Sequence, residues 1–383
     1  ADLTDGNLSN STLSSAKLRK TDLTRANLNG VTATSANLTF VTAQGANLSN
    51  SNLTSATLTG GDFNGSDMVL AHFDNATIIH TDFSSTLGNY TTWTSAILTR
   101  PKFNDSDLTG ANFTSSVITE FTASGATLDN INFSKTNTGL KGADLNGASL
   151  TGANVSSIDL SEAKISDASL VGATFKNSNL TSVNAQRSDF SETDLRDANL
   201  TRARFDSSDF MNSNMKSSVL TQTGLYKADL TGVDVSYSTF DRTNIQEADL
   251  TEANLTGSIF TDVVGMHIKL DGADLTGVAL IRSKFDRTTF NNADVTGVDL
   301  SESNLSGSKF VGAKQTDWTL WPSPISPSSL GVEQREMRNP DLICDLTSIS
   351  DCSGADLNHT DMSSRKLQNT RLISTNLTGS DLV

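Results

Sequence analysis

The sequence predicts an all-β fold, a four-sided parallel β-helix, and three observations carry that prediction. A large apolar residue recurs at every fifth position along most of the 383 residues. A small residue stands two places before it, and aromatic residues recur at intervals of twenty. A period of five fits neither the roughly 3.6 of an amphipathic helix nor the 2 of a half-buried strand. The chain must therefore turn a corner every five residues. On each side one large and one small side chain point inward, and the other three residues face solvent. Backbone groups then pair with the coils above and below, about 4.8 Å away.

The first run, residues 1–133, sets the frame. It starts at Leu3, Leu8, Leu13, Leu18, Leu23 and Leu28 and continues to Phe133, 27 pentapeptides in all. Ala16, Ala26, Ala36, Ala46 and Ala56 hold the small position, and Asp or Asn often stands directly before the centre. Phe73, Trp93, Phe113 and Phe133 are spaced by twenty, as are Phe63, Phe83 and Phe103. With four sides per coil, that spacing stacks the rings into ladders. In Leu87-Gly88-Asn89-Tyr90 the centre loses its side chain, which reads as a bulge.

Residues 134–139 slip the frame by two and are expected as an outward corner loop. The second run, 140–320, adds 37 pentapeptides, and after an interruption at 321–354 a third run, 355–383, adds six from Leu357 to Leu382. Of these 70 centres, 63 are Leu, Phe, Ile, Met, Val or Trp. The exceptions are Ala33, Ala43, Ala123, Ala185, Gly88, Gly265 and Gln315. Fifteen of the 17 Phe residues fall in frame, which separates this chain from a disordered polar one of similar composition.

The pattern A-(D/N)-L-x-x, as in Ala143-Asp144-Leu145-Asn146-Gly147 and Ala253-Asn254-Leu255-Thr256-Gly257, resembles the pentapeptide-repeat family. The resemblance covers almost the whole chain. It implies a right-handed quadrilateral β-helix with four repeats per coil, here about 17 coils at roughly 4.8 Å each. The segment Thr316-Asp317-Trp318-Thr319-Leu320-Trp321-Pro322 resembles the Trp-Pro decoration with which many bacterial members finish their helix. The best-known members bind DNA gyrase as acidic imitations of duplex DNA.

Composition narrows the chemistry. A net charge of −15 and a pI near 4.6 disfavour nucleic acid and anionic membranes and favour basic proteins or cations as partners. No apolar stretch approaches the length of a membrane span. His72, His80, His267 and His359 are scattered, with His72 and His80 on different sides of a coil, and no nucleotide-binding, nucleophile-elbow or zinc-protease motif occurs. An enzyme, a cofactor and a metal centre are therefore not expected.

The surface does carry pattern. Asp189, Asp209, Asp229 and Asp249 recur at twenty and are expected to form one column. Asp194, Asn214, Asp234, Asn254, Asp274 and Asp294 form another on the next side. Carboxylates so stacked repel by roughly 1 kcal/mol per pair in water, so cations or a basic partner would compensate. These Asp residues, with Trp318 and Trp321 of the interruption, are the candidate partner-binding residues. The interruption reads either as a binding knob or as a loop covering one side.

Cys344 and Cys352, eight apart, suggest a local disulfide, with two free thiols as the alternative. A disulfide would favour an extracellular or other oxidising compartment over the cytoplasm. Asn-x-Ser/Thr sequons at Asn37, Asn52, Asn199, Asn254 and Asn376 follow almost automatically from the repeat. Ala1 opens inside a repeat and neither end carries a cap, as expected for an excised chain or for copies stacked head to tail.

The first functional expectation is a non-catalytic scaffolding rod that presents a polar acidic surface to another protein or stacks into a fibre. The alternative is a DNA mimic binding a type II topoisomerase or another basic DNA-binding protein. Cation binding along the Asp columns is a third.

Overall fold

The structure, a computed structural model, describes residues 1–136, 139–316 and 319–334. It is a parallel β-solenoid of four-sided coils, in two compact units, Ala1–Asp209 and one beginning at Phe210. The last six repeats lie outside the described residues, so fewer coils are described than the seventeen expected for the whole chain.

Each side of a coil repeats the same bonding. The centre N–H donates to the next coil, as Leu23 to the Thr42 carbonyl at 2.6 Å and Leu28 to Asn47 at 2.7 Å. The residue before it donates to the previous coil, as Asp22 to Ala1 at 2.9 Å. At most corners the small residue donates back to the preceding centre, as Ala26 to Leu23 at 2.9 Å. The residue before the small one is left-handed, with φ 55° at Arg25 and 56° at Ser35. None of these left-handed residues is Val, Ile or Thr, although Thr is frequent elsewhere. A branched Cβ pays most in that conformation.

Pairing runs at a spacing of twenty. In the first unit β1 (Thr57–Thr59), β2 (Thr77–Ile79), β3 (Ile97–Thr99) and β4 (Val117–Thr119) form one parallel sheet in that order. Its core register is Leu58, Ile78, Leu98, Ile118. In the second unit β5 (Thr239–Asp241), β6 (Ile259–Thr261) and β7 (Ala279–Ile281) do the same, with Phe240 on Phe260 and Phe260 on Leu280.

Both aromatic ladders form. Phe73 and Trp93 stack at 4.1 Å, Trp93 and Phe113 at 5.5 Å, Phe63 and Phe83 at 5.3 Å, and Phe83 and Phe103 at 5.0 Å. The two ladders meet edge to face, as Trp93 against Phe103 at 5.5 Å. Such pairs add about 0.5–1.5 kcal/mol each beyond burial. The Trp93 indole N–H is satisfied by the Thr91 hydroxyl at 2.9 Å, which donates to the Gly88 carbonyl.

The frame exceptions follow a volume rule. Ala33, Ala43, Ala185 and Gly265 each follow a buried Val, at 31, 41, 183 and 263, in what is normally the small position. At Ala123 the exchange is complete: buried Phe121 sends its ring into the ladder, 5.6 Å from Phe103. Gly88 is not a bulge. Its N–H keeps the bond to Asp107 at 2.7 Å, and the Leu108 side chain fills the space, 2.7 Å from where a Cβ would stand.

The two extra residues before Leu140 are absorbed in one coil. Thr122 pairs with Asp144, Thr127 with Ser149 and Asn132 with Asn154, all 22 apart, and spacing returns to 20 at Asp144 and Lys164. Gly139 (φ 64°) closes this corner so tightly that a Cβ would lie 2.5 Å from the Asp159 carbonyl oxygen.

The second run departs from its expected end. Leu320 pairs beside Asp299, one residue beyond the frame, and is half exposed. Trp321 takes the inward place, its ring 5.0 Å from Phe310 and its indole N–H on the Gln315 side chain at 2.7 Å. Rather than leaving the solenoid at 321, the chain returns through a 3-10 turn at Pro327–Leu330. Its β9 (Glu333–Gln334) then pairs in parallel with β8 (Lys314–Gln315).

Candidate interaction surface

The residue before each centre is Asp or Asn for a local reason. Its carboxyl or amide oxygen accepts the backbone N–H two residues on, tying down the turn. Asp22 accepts from Thr24 at 2.9 Å, and Asn27 from Asn29 at 3.1 Å. The candidate Asp residues do the same. Asp189 accepts from Ser191 at 2.9 Å, Asp229 from Thr231 at 2.9 Å and Asp234 from Ser236 at 3.0 Å. Asp274 accepts from Thr276 at 2.9 Å and Asp294 from Thr296 at 3.0 Å. Of the eight candidates only Asp274 is fully exposed; the others are half-buried against their own turns. Turn N–H groups therefore supply much of the compensation that the like charges need.

Counter-charges supply more. In the first unit Asp189 pairs with Asp209, and Asp194 is held by Arg196 through two contacts at 2.8 and 2.6 Å. The Arg196 guanidinium outweighs desolvation and holds the Asp194 carboxyl below the usual range. In the second unit the column runs Asp229, Asp249, Lys269, and its neighbour runs Asn214, Asp234, Asn254, Asp274, Asp294, Lys314. Lys269 reaches Asp249 at 2.7 Å. Burial works against the Asp249 charge, yet Lys269 and the Thr251 hydroxyl and N–H prevail and keep its carboxyl low. Neither column in that unit is an unbroken acidic row.

The more exposed charges lie at the left-handed corners, which the sequence reading passed over. Opposite charges one coil apart pair there: Asp5 with Arg25 at 2.7 Å, Asp167 with Arg187 at 2.6 Å and Asp262 with Arg282 at 2.8 Å. Opposite signs exactly one coil apart in the sequence were the available signal. Each arginine lowers the pKa of its carboxylate. Trp321 packs onto the solenoid instead of projecting. Trp318, Cys344 and Cys352 lie outside the described residues. The described sequon residues Asn37, Asn52, Asn199 and Asn254 also fold onto their turns, and Asn199 and Asn254 each accept from both the N–H and the hydroxyl of their Thr, while Asn376 lies outside the described residues.

Among the described residues no group of three or more His, Cys, Asp or Glu is arranged to hold a metal ion, and His72 bonds the Thr92 hydroxyl at 3.0 Å. No helix there is long and apolar enough to cross a membrane.

A β-solenoid with a filled interior and a polar, turn-locked exterior defines a class of repeat proteins that work through their surfaces. The family model described as pentapeptide repeats matches residues 1–32, 34–68, 51–87, 119–157, 140–177, 158–197, 178–216, 223–262, 268–314 and 350–383. The chain belongs to the pentapeptide-repeat family, whose members mediate protein–protein interactions. Among solved structures, HetL from the cyanobacterium Nostoc, described as involved in heterocyst differentiation regulation, is similar. It is 25% identical over 67% of this chain and 90% of its own, with a TM-score of 0.24. QnrB1, a plasmid-mediated fluoroquinolone resistance protein, is 17% identical over 50% of this chain and 89% of its own, with a TM-score of 0.23. A pentapeptide repeat protein from the Arabidopsis thaliana thylakoid lumen is 20% identical over 37% and 67%, with a TM-score of 0.11. No curated protein matches the chain.

Proposed function

We propose that this chain is a non-catalytic scaffold that presents its corner charges and polar faces to a protein partner. The carrying observation is the division of labour in each repeat. The centre and small side chains fill the core, and the Asp or Asn before the centre is tied to its turn. That leaves the corner residues, paired one coil to the next, as the variable chemistry. Exposed ion pairs of this kind contribute little to stability, so they can be exchanged for contacts with a partner at little cost.

End-to-end stacking is part of this reading. Leu3, Leu8, Leu13 and Leu18 are only half-buried, whereas Leu23, Leu28 and Leu38 of the following coils are fully covered. A second copy stacked on this coil would cover those four side chains. Sedimentation velocity and negative-stain microscopy over a wide concentration range test it. Concentration-dependent filaments are expected, and dispersed monomers throughout would remove stacking from the proposal.

The DNA-mimic alternative draws on the net charge of −15 and the twenty-residue Asp register. It is weakened by Arg196, Lys269 and Lys314, which stand in or against the columns. A gyrase supercoiling assay decides it: unchanged supercoiling at micromolar protein would eliminate it.

A further inference from the structure

Beside the two-residue insertion, the first unit carries an open recess of about 530 Å³. Its origin is in the register. The corner column reads Arg100, Glu120, Gly142, Glu162, with the 22-residue step at the insertion. At Gly142 a Cβ would meet nothing within 4 Å, so a gap opens between the two glutamates. In the adjacent column short Thr122 stands between Lys102 and Asp144. Pro101 and Phe121 also line it, both buried, with the Phe121 ring turned into the core.

Cationic residues are concentrated here against the trend of the chain. Between residues 26 and 163 the sequence holds four Lys or Arg. Three of them, Arg100, Lys102 and Lys141, line this recess together with the next one, Lys164. All four are held by exposed pairs: Arg100 with Glu120 at 2.7 Å, Lys141 with Glu162 at 3.3 Å, Lys102 with Asp82 at 3.7 Å and Lys164 with Asp144 at 4.0 Å. Pairs so exposed are weak and exchangeable.

The mixed rim selects the ligand. A bare anion would meet three carboxylates, Glu120, Asp144 and Glu162, and a bare cation would meet four positive groups. A molecule with one strongly anionic group and several neighbouring hydroxyls satisfies both. Its anion accepts from lysine and arginine, its hydroxyls donate to the carboxylates, and its C–H face lies along the aliphatic stems of the lysines and arginine. We propose that this recess binds a phosphorylated sugar or polyol, a ligand independent of the scaffold reading.

Isothermal titration calorimetry of the full chain tests this with glucose 6-phosphate, glucose and inorganic phosphate as separate probes, at low and near-physiological ionic strength. The expected result is binding of glucose 6-phosphate at least tenfold tighter than phosphate, weakening with salt, and no detectable heat with glucose. Lys141→Ala and Lys164→Ala should each weaken it about tenfold, and Glu162→Gln, which removes a repelling carboxylate and frees Lys141, should tighten inorganic phosphate and narrow its gap to glucose 6-phosphate. All three leave the core untouched, so circular dichroism and the unfolding midpoint should stay at wild-type values. Asp229→Asn, in the second unit, should change nothing. The proposal fails if phosphate binds as tightly as glucose 6-phosphate, if no probe binds, or if the lysine variants bind as well as wild type.

Discussion

The exchange of Phe121 and Ala123 gives the sharpest test of how this core is specified. Phe121 is 1% exposed and touches three rings, Phe103 at 5.6 Å, Phe133 at 5.7 Å and Phe113 at 6.2 Å. Phe121→Ala removes a fully packed aromatic and should cost about 3–5 kcal/mol. Ala123→Phe forces a second ring into filled space and should cost about 1–3 kcal/mol or more. Independent effects would sum to roughly 4–8 kcal/mol. The double variant restores the common small-then-large pattern and returns a ring to the Phe63, Phe83, Phe103 ladder, so it should lie within about 1.5 kcal/mol of wild type. Urea unfolding followed by circular dichroism, with midpoint and slope compared across all four proteins, measures the coupling. Additivity of the two single changes would refute the reasoning, because it would mean that the positions do not share one volume.

Other consequences concern the turns and the ladder. Asp249→Asn keeps an oxygen for the Thr251 N–H, whereas Asp249→Ala loses it. Thermal unfolding should show Ala costing about 1 kcal/mol more than Asn, as for lost helix caps. Asp194 and Asp249 have folded-state pKa values below their unfolded ones. Their stabilisation is therefore present above the unfolded value near 3.9 and is lost as pH falls through the lower folded values. The unfolding midpoint should be flat from neutral pH to about 5 and drop steeply below 4, and the drop should shrink in Asp249→Asn. Gly139→Ala meets the Asp159 carbonyl, whereas Gly147→Ala, equally left-handed, meets nothing within 4 Å. Denaturant titration should place Gly147→Ala near the roughly 1–2 kcal/mol of the backbone penalty alone, and Gly139→Ala clearly above it. Trp93→Ala should cost about 3–5 kcal/mol in the same titration, and Trp93→Phe, which keeps a ring between Phe73 and Phe113, less than half of that.

How far the sequence could be read depended on whether one strand of information sufficed. Phe63 to Phe103 and Phe73 to Phe133 fall at multiples of twenty, and the stacked rings follow once a coil has four sides. Phe121 carried a readable signal, an off-frame aromatic two places before an Ala centre. The absence of Val, Ile and Thr at the corners was an unread signal of the left-handed turn. The Asp columns were visible in the sequence, but the turn bond that each carboxylate makes was not read from it. Their spacing is a consequence of coil length, while each carboxylate answers first to an N–H two residues away.

By itself, then, the sequence determined the five-residue frame, the twenty-residue coil and the contents of the core, because each follows from a strict periodicity of side-chain size. Only the tertiary structure decided which charges become neighbours where the frame breaks. A 22-residue step sets Gly142 between Glu120 and Glu162 and gathers Arg100, Lys102, Lys141 and Lys164 at one recess. A one-residue slip turns Trp321 inward and Leu320 outward. Both depend on how an irregular corner closes, and that is fixed by backbone contacts such as Gly139 against Asp159, which no periodicity records.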